Sequence, residues 1–432
     1  MLPADLAGWL ERIERLHPKT IELGLDRVAT VRDRMGLALE APVITVAGTN
    51  GKGSTCALLE SILAAARYRV GLYTSPHLLA YNERVRVDRR DADDATLVAA
   101  FARVEAARVA GAPVPLTYFE FGTLAAVAVF AAARLDAVVL EVGMGGRLDA
   151  VNAFEPDAAI VTTVALDHMD YLGGTREAIG REKAHVFRPG RPAIVGDPAP
   201  PESVTAHARA IGADLQCLGR DFGYEADGGD WLYWGRLGRR AGLPHPALRG
   251  AMQLANAATA IAALESLRER LPVTAQDVRD GLVHVALPGR FQVLPGRPVV
   301  VLDVAHNPAA AVVLAENLAR METGGTRSGR TLAVFGMLWD KDVAGVVRAM
   351  KPAIDLWFVA DLPGPRGAAA GTLAAAIAAE QAWAQVRPFA TVAQAYAAAR
   401  DAAGPDDRIV AFGSFLTVAE VMSLQKSGPG RR

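Results

Sequence analysis

Apolar runs and amphipathic stretches alternate along almost the whole chain. Short apolar, largely β-branched runs that end in polar or glycine-rich segments predict strands at 43–47, 70–73, 137–140, 158–164, 299–303, 332–335, 356–359 and 409–412. Apolar residues at helical spacing predict helices at 5–16, 25–35, 94–109 and 252–267, a helix that ends at Arg67, and another that opens at 116–121. Strands that alternate with helices predict an α/β fold with a parallel sheet and crossover helices.

This alternation is interrupted at two places. Trp231-Leu232-Tyr233-Trp234 lies among short segments that predict antiparallel strands, and a Pro/Gly-rich stretch at 287–298 predicts a hinge. We therefore expect two domains, at 1–290 and 291–432. The first is predicted to be a P-loop-type domain with a mostly parallel sheet, and the second a smaller, doubly wound α/β domain.

The first predicted strand leads into a glycine-rich turn, Gly48-Thr49-Asn50-Gly51-Lys52-Gly53, and then into a helix that we expect Ser54 or Thr55 to cap. Backbone N–H groups at such a helix start bind anions, and Lys52 would reach the outer phosphates of a nucleotide. The spacing is looser than the common phosphate-loop pattern, because Val46 occupies the place of its first glycine. A glycine-rich turn with a surface lysine is therefore the alternative.

Composition narrows the possible partners. The 46 lysines and arginines nearly balance the 47 aspartates and glutamates, so no basic surplus favours nucleic acid or an anionic membrane. Cys56 and Cys217 fit neither a disulfide framework nor a zinc site and are expected to be core residues. The sequence shows neither a secretory signal nor an apolar run of membrane-spanning length, so we expect a cytoplasmic protein, with a frayed tail at 427–432.

Some charged residues at predicted strand ends are candidates for chemistry. Glu141 ends an apolar strand beside a glycine loop, where its carboxylate would suit magnesium, although a solvated glutamate explains it equally well. His168 follows the next strand between Asp167 and Asp170, which favours a metal or phosphate neighbour. Lys183 lies on a predicted helix, where a solvated basic face is the default, and the polar segment 17–24 is expected to be a solvated linker.

Several separate stretches resemble the Mur ligase superfamily, and within it the bacterial bifunctional dihydrofolate synthases/folylpolyglutamate synthases. The matching stretches are 48–53, 75–78, 116–120, 141–143, 145–150, 166–168, 180–184, 287–291 and 303–308. Met144 and Val151 depart from the leucine and threonine that are usual in this family. Both lie near the loop that would face the pterin, so the departures bear on substrate affinity.

The resemblance implies roles for residues that the sequence alone does not single out. Magnesium would be bound by Ser75, Glu141, His168 and a carbamylated Lys183. ATP would contact Asn50, Gly51, Lys52, Gly53, Asn256, Arg290 and Asp303. Dihydropteroate would contact Thr117, Tyr118, Phe119, Glu120, Leu148, Asp149 and Ala150, and L-glutamate would contact His306 and Ser414. Lys52, Lys183 and His306 are the expected catalytic residues.

The implied reaction is ATP-dependent amide formation through an acyl phosphate, with dihydropteroate or reduced folates as acceptors of L-glutamate. Magnesium is the implied cofactor, potassium is a further candidate, and a monomer is expected. Two alternatives stay open at this point. One is a peptidoglycan-precursor ligase, which shares the phosphate loop but needs a uridine-nucleotide pocket. The other is a nucleotide-dependent switch, which would leave His306 and Ser414 without a role.

Overall fold

An eight-stranded sheet in the order β4-β3-β2-β5-β1-β6-β7-β8 carries the first half of the chain. The computed structural model describes residues 2–19, 21–321 and 329–427. The strands of this sheet are β1 (Val43–Ala47), β2 (Val70–Tyr73), β3 (Val85–Val87), β4 (Arg90–Asp91), β5 (Ala137–Glu141), β6 (Ala158–Val161), β7 (Pro192–Val195) and β8 (Asp214–Cys217). Only β3 and β4 run antiparallel to their neighbours, and β1 pairs with both β5 and β6. The predicted mostly parallel sheet is confirmed.

The helices around this sheet are long where the sequence is alanine-rich. They are α1 (Leu6–Glu14), α2 (Asp26–Met35), α3 (Lys52–Ala65), α4 (Asp94–Val109), α5 (Tyr118–Ala132), α6 (Met169–Leu172), α7 (Arg176–Ala184), α8 (Glu202–Ala210), α9 (Gln253–Ser266) and α10 (Ala275–His284), with short 3-10 turns at Tyr81–Arg84 and Ala150–Ala153. Helix α5 is apolar on almost every side and is buried from Glu120 to Phe130. A helix without a polar face must be covered all round, so α5 is part of the core. None of the described helices combines the length and the apolar character that a membrane crossing requires.

A small antiparallel sheet follows β8, as the sequence predicts. It contains β9 (Gly223–Asp227), β10 (Asp230–Gly235) and β11 (Gly238–Pro244), with β10 in the centre. Trp231 and Tyr233 of β10 are buried on one face, and the Tyr233 hydroxyl donates a hydrogen bond of 2.9 Å to Glu265 on α9. Tyr233 therefore attaches the small sheet to α9.

The chain divides into two units, one of Met1–Ala247 with Leu254–Val285 and one of Leu248–Gln253 with Ala286–Arg432. The second unit has a six-stranded sheet in the order β12-β13-β17-β14-β15-β16. Its strands are β12 (Gln292–Leu294), β13 (Val299–Leu302), β14 (Thr331–Phe335), β15 (Leu356–Ala360), β16 (Gln385–Phe389) and β17 (Arg408–Phe412). Its helices are α11 (Pro308–Arg320), α12 (Val343–Met350), α13 (Ala370–Glu380), α14 (Val392–Ala402) and α15 (Phe415–Ser427), with a 3-10 turn at Lys351–Ala353. Apart from β12 its strands are parallel, which makes it a smaller α/β sheet of the predicted kind.

Some predicted boundaries are wrong for local reasons. Strand β6 ends at Val161 rather than at 164, because the next residues turn to contact the phosphate loop. The Pro/Gly-rich stretch 287–298 contains β12, which pairs with β13. Cys56 and Cys217 are buried and free, as expected. Thr20 and residues 428–432, which include most of the predicted tail, lie outside the described residues.

Helix α10 packs against α3 so closely that its Gly281 has no room for a side chain. A Cβ at this position would lie 2.5 Å from the Ile62 Cα and 2.8 Å from the Ile62 nitrogen, both backbone atoms. We expect Gly281→Ala to lower the free energy of unfolding by about 1–3 kcal/mol through overpacking. Urea unfolding measures this loss. The control is Gly371→Ala in α13, where no atom lies within 4 Å of the added Cβ. An equal effect of both substitutions would contradict the prediction.

Candidate active site

The phosphate loop between β1 and α3 is shaped by two glycines. Gly48 and Gly51 have φ angles of 149° and 87°, and residues other than glycine rarely adopt such backbone conformations. Gly51 is the N-cap of α3, which begins at Lys52, and it makes no side-chain capping bond. Ser54 and Thr55 are buried inside the first turn, so the prediction that one of them caps the helix is wrong. The open N–H groups of this helix start remain suited to an anion.

Residues that follow β6 hold the loop in place. The hydroxyls of Thr162 and Thr163 donate hydrogen bonds of 2.7 and 3.0 Å to the Asn50 carbonyl, and the Asn50 N–H donates to the Thr163 hydroxyl. A Cβ on Gly48 would lie 1.8 Å from the Thr162 oxygen, so only glycine fits there. Asn256 of α9 borders the other side, since a Cβ on Gly51 would lie 2.7 Å from its amide oxygen. The structure thus places Asn256 beside the loop, where the resemblance implies that ATP binds.

Two lysines converge on the carbonyl oxygen of Gly48. The Lys52 Nζ lies 3.2 Å from this oxygen and the Lys183 Nζ lies 2.9 Å from it. Lys183 is only 4% exposed, so the default of a solvated basic face is wrong. Burial, with the charge of Lys52 nearby, lowers the pKa of Lys183 to about 7. A buried lysine that is readily neutral beside a phosphate loop is chemically unusual and fits a functional group.

Glu141 ends β5 next to the start of the phosphate loop. It lies opposite Val46 of β1 in the parallel register, and its carboxylate, 4% exposed, accepts a 2.9 Å hydrogen bond from the backbone N–H of Ser75. This contact joins two of the four residues expected to bind magnesium. A buried carboxylate and an adjacent hydroxyl residue are hard oxygen donors of the kind that magnesium takes together with phosphate oxygens. Within residues 2–19, 21–321 and 329–427, no three His, Cys, Asp or Glu side chains form a group that could hold a metal ion.

His168 lies in the loop between β6 and α6 and has a left-handed backbone, with φ of 51° and ψ of 40°. Its N–H donates to Asp167, whose other carboxylate oxygen lies 3.9 Å from the His168 Nε2. Such a backbone is uncommon for residues other than glycine and often marks a functional position. The ring is 29% exposed, so it remains accessible to a ligand.

The start of α5 holds the first segment expected to face a pterin. Thr117 caps the helix, and Glu120 completes a capping box by accepting from the Thr117 N–H at 2.7 Å. Phe119 packs over Gly143, where a Cβ would lie 2.6 Å from its ring. Tyr118 is half-buried and faces the guanidinium of Arg84, which lies 5.5 Å from the ring centroid. Aromatic side chains therefore stand at this helix start, as a flat heterocycle would require.

The second expected pterin segment, at 148–150, is built on a buried aspartate. Asp149 accepts hydrogen bonds of 2.8 and 3.0 Å from the N–H groups of Met144 and Val151. Burial outweighs these bonds and raises the pKa of Asp149 to about 6. The carbonyl of Leu148 accepts from the N–H of Gly24, and Ala150 begins a 3-10 turn. Residues 21–24 are half-buried, so the expectation of a solvated linker is wrong for this part of 17–24.

Residues of the second unit gather at one edge of its sheet. The neighbouring parallel strands β13 and β17 end at Leu302 and Phe412, so Asp303 and Ser414 follow at the same edge. Asp303 accepts 2.8 Å bonds from the N–H groups of Phe291 and Ala305, and desolvation raises its pKa. The oxygen of Ser414 accepts from the N–H of Leu416.

Arg290 and His306 share an aromatic neighbour at this edge. The Arg290 guanidinium lies 5.0 Å from the Phe415 ring centroid, and the centroid of the His306 ring lies 6.2 Å from it. The His306 Nδ1 lies 2.9 Å from the Val304 carbonyl, which places the proton on Nδ1. The structure thus brings together four of the predicted residues, Arg290, Asp303, His306 and Ser414.

Comparison with known proteins decides the family. The Mur ligase middle domain matches residues 46–196, and the glutamate ligase domain of the Mur ligases matches residues 289–415. Dihydrofolate synthase/folylpolyglutamate synthase of Escherichia coli (strain K12) is 47% identical to this chain, over 98% of the chain and 96% of that protein. The chain belongs to the dihydrofolate synthase/folylpolyglutamate synthase family. The Haemophilus influenzae protein of the same name is 39% identical, with 98% of each chain covered.

Solved structures of the dihydrofolate synthase/folylpolyglutamate synthase family agree with the fold described above. E. coli FolC in complex with DHPP and ADP superposes with a TM-score of 0.91 at 47% identity, covering 99% of each chain. A bifunctional folylpolyglutamate synthase/dihydrofolate synthase with Mn, AMPPNP and L-glutamate bound superposes with a TM-score of 0.89 at 45% identity, covering 99% of this chain and all of that one. The resemblance and the predicted fold class are confirmed.

Two arginines that the sequence did not single out contact residues of the first segment expected to face a pterin. Arg27 forms an ion pair with Glu120, at 2.8 Å. Arg84 lies between the Tyr81 and Tyr118 rings and donates a 2.9 Å hydrogen bond to the Nδ1 of His77. Burial, assisted by the charge of Arg84, lowers the pKa of His77 to about 4. Arg27 contacts Glu120 across 93 residues and Arg84 contacts Tyr118 across 34, so no local sequence pattern marks these two contacts.

Proposed function

We propose that the protein is an ATP-dependent ligase that joins L-glutamate to dihydropteroate and to the γ-carboxylate of reduced folates, in folate biosynthesis. The observation that carries the proposal is the 47% identity to the E. coli dihydrofolate synthase/folylpolyglutamate synthase over nearly the whole of both chains. It is supported by the phosphate loop, the buried lysine beside it and the aromatic start of α5, all within one unit.

The reaction needs activation, because a free carboxylate is a poor acyl donor. The substrate carboxylate attacks the γ-phosphorus of ATP, the bond to the β-phosphate oxygen breaks, and ADP leaves. The amine of glutamate then attacks the acyl carbon, phosphate departs and the amine gives up a proton. Lys52 and the N–H groups of the loop would offset charge on the phosphoryl group.

The residue roles form part of the proposal. ATP is bound by Asn50, Gly51, Lys52, Gly53, Asn256, Arg290 and Asp303. The divalent metal is held by Ser75, Glu141, His168 and Lys183. Dihydropteroate is bound by Thr117, Tyr118, Phe119, Glu120, Leu148, Asp149 and Ala150, and glutamate by His306 and Ser414. The metal supplies charge neutralisation at the phosphates of ATP.

Lys183 meets the metal only in an altered form. As an ammonium it carries the wrong charge for a ligand, and in the structure it donates to the Gly48 carbonyl. A carbamate on the same nitrogen is an anion with two oxygen donors, which suits magnesium or manganese. The lowered pKa of Lys183, about 7, favours the neutral amine, which attacks the carbon of carbon dioxide, forms the N–C bond of the carbamate and releases a proton.

The proposal extends to the protein's surroundings. We expect a monomer in the cytoplasm that binds small molecules and neither nucleic acid nor membranes, since the charges of the chain nearly balance. Potassium remains a candidate activator. Of the alternatives, a peptidoglycan-precursor ligase is disfavoured, because the E. coli and H. influenzae relatives, at 47% and 39% identity, are both named as folate enzymes.

Phosphate release from ATP tests the proposal. We expect little release with dihydropteroate or glutamate alone, and rapid release when both are present with magnesium. Tetrahydrofolate in place of dihydropteroate should also support release and amide formation, detected by mass spectrometry of the product. If product forms with tetrahydrofolate but not with dihydropteroate, the protein lacks the dihydrofolate synthase activity. Slow hydrolysis indifferent to glutamate would indicate a nucleotide switch, and product from a uridine-linked muropeptide would indicate the other ligase class.

A further inference from the structure

Arg27, in the first turn of α2, donates hydrogen bonds to the buried carboxylate of Glu120 in α5. Its Nε lies 3.1 Å from both carboxylate oxygens of Glu120, and its Nη2 lies 2.8 Å from Oε1. The Arg27 side chain is 20% exposed and that of Glu120 only 4%. Such a fork of N–H groups on one carboxylate fixes both direction and distance, which a lysine does not do.

Glu120 passes this constraint on to the start of α5. Its other bond, from the Thr117 N–H, closes the capping box that defines where the helix begins. Tyr118 and Phe119 stand on the same turn, between the two bonded residues. Moving the Glu120 carboxylate would therefore move the aromatic residues that we assign to the pterin site.

The same guanidinium also holds a second segment. The Nη2 of Arg27 donates a 2.7 Å hydrogen bond to the Glu22 carbonyl, and its Nη1 lies 3.5 Å from the Glu22 carboxylate. Two residues later, the N–H of Gly24 donates to the Leu148 carbonyl at 3.3 Å. Arg27 is thus linked to 117–120 through Glu120 and to 148–150 through the 22–24 segment.

We propose that Arg27 is a positioning residue that sets the spacing between the two chain segments of the pterin site. The inference rests on the proposed function, since it concerns the substrate assigned there. Arg27 touches neither the phosphate loop nor Lys183 in any bond that the described structure contains. Its loss should therefore weaken binding of the pterin substrate and leave the ATP site intact.

Steady-state kinetics of Arg27→Met and Arg27→Lys, with wild-type protein in parallel, test this. We expect Arg27→Met to raise KM for dihydropteroate about tenfold or more, with kcat and KM for ATP within about twofold of wild type. Arg27→Lys keeps a positive charge beside Glu120 but loses the fork, so its KM should rise less. This second variant also reports on the site if Arg27→Met fails to fold.

Arg12→Met is the matched control, because Arg12 also pairs with a buried glutamate 93 residues later, Glu105 of α4, at 2.7 Å. It should lower Tm comparably and leave KM for dihydropteroate unchanged. The inference is overturned if folded Arg27 variants keep a wild-type KM, if kcat falls instead of KM rising, or if Arg12→Met raises the same KM. Wild-type protein without turnover on dihydropteroate would refute the proposed function itself, a result distinct from all of these.

Discussion

Glu141→Gln is expected to reduce turnover about a hundredfold or more, a loss of about 2.7 kcal/mol of transition-state stabilisation. The substitution preserves the size of the side chain and removes its negative charge at the end of β5. Glu141 is almost fully buried and is held by the Ser75 N–H, so its carboxylate is fixed in place. Without that charge, the metal would be held less tightly and the phosphoryl charge offset less well. Initial rates at saturating ATP, with magnesium varied, measure the effect.

Glu60→Gln is the matched control for this experiment. Glu60 lies in α3 of the same unit, is equally buried, and pairs with Arg86 at 3.1 Å. Burial raises the pKa of Glu60, which lowers the cost of replacing its carboxylate with a neutral amide of the same size. Turnover of Glu60→Gln should stay within about twofold of wild type. Near-normal turnover in a folded Glu141→Gln variant at ordinary magnesium would remove Glu141 from the metal site.

Central strands and long helices could be predicted because these buried elements consist of runs of apolar residues. Strands β1 and β5 are buried at every position, and α4 has the predicted bounds. Strand β16 escaped prediction because it lies at the edge of its sheet, where Gln385, Arg387 and Pro388 are exposed and no apolar run forms. Sequence patterns report burial more reliably than they report pairing at an edge.

The part of the site that lies in one contiguous motif could be predicted from the sequence. The part that depends on contacts between residues far apart in the chain could not. The phosphate loop is one contiguous stretch, so its position could be read directly. Lys183 reaches the Gly48 carbonyl from 135 residues away, and its own neighbours, Arg181 and Glu182, suggest an exposed helix. Arg27 likewise meets Glu120 across 93 residues. Such pairings depend on which helices the sheet brings together, and local composition carries no trace of them.

Activity of the wild-type protein is expected to depend on carbon dioxide through Lys183. Carbon dioxide reacts with the neutral amine, and with a pKa of about 7 roughly half of Lys183 is neutral at pH 7, against about three in ten thousand for a lysine with an ordinary pKa near 10.5. The lowered pKa of Lys183 also makes the free energy of unfolding depend on pH. The unfolded chain binds more protons than the folded one between pH 7 and 10.5, so the burial of the free amine costs most below pH 7 and the cost fades as pH rises through that window.

Protein prepared in buffer free of carbon dioxide should lose most of its turnover, about tenfold or more, and regain it on addition of bicarbonate. Lys183→Arg is the diagnostic variant, since a guanidinium stays protonated and forms no carbamate. It should remain about a hundredfold below wild type with or without bicarbonate. Carbon-13 NMR with labelled bicarbonate should show a carbamate signal in the wild-type protein that is missing in the variant. Activity indifferent to carbon dioxide, together with no such signal, would show that Lys183 acts as a free amine.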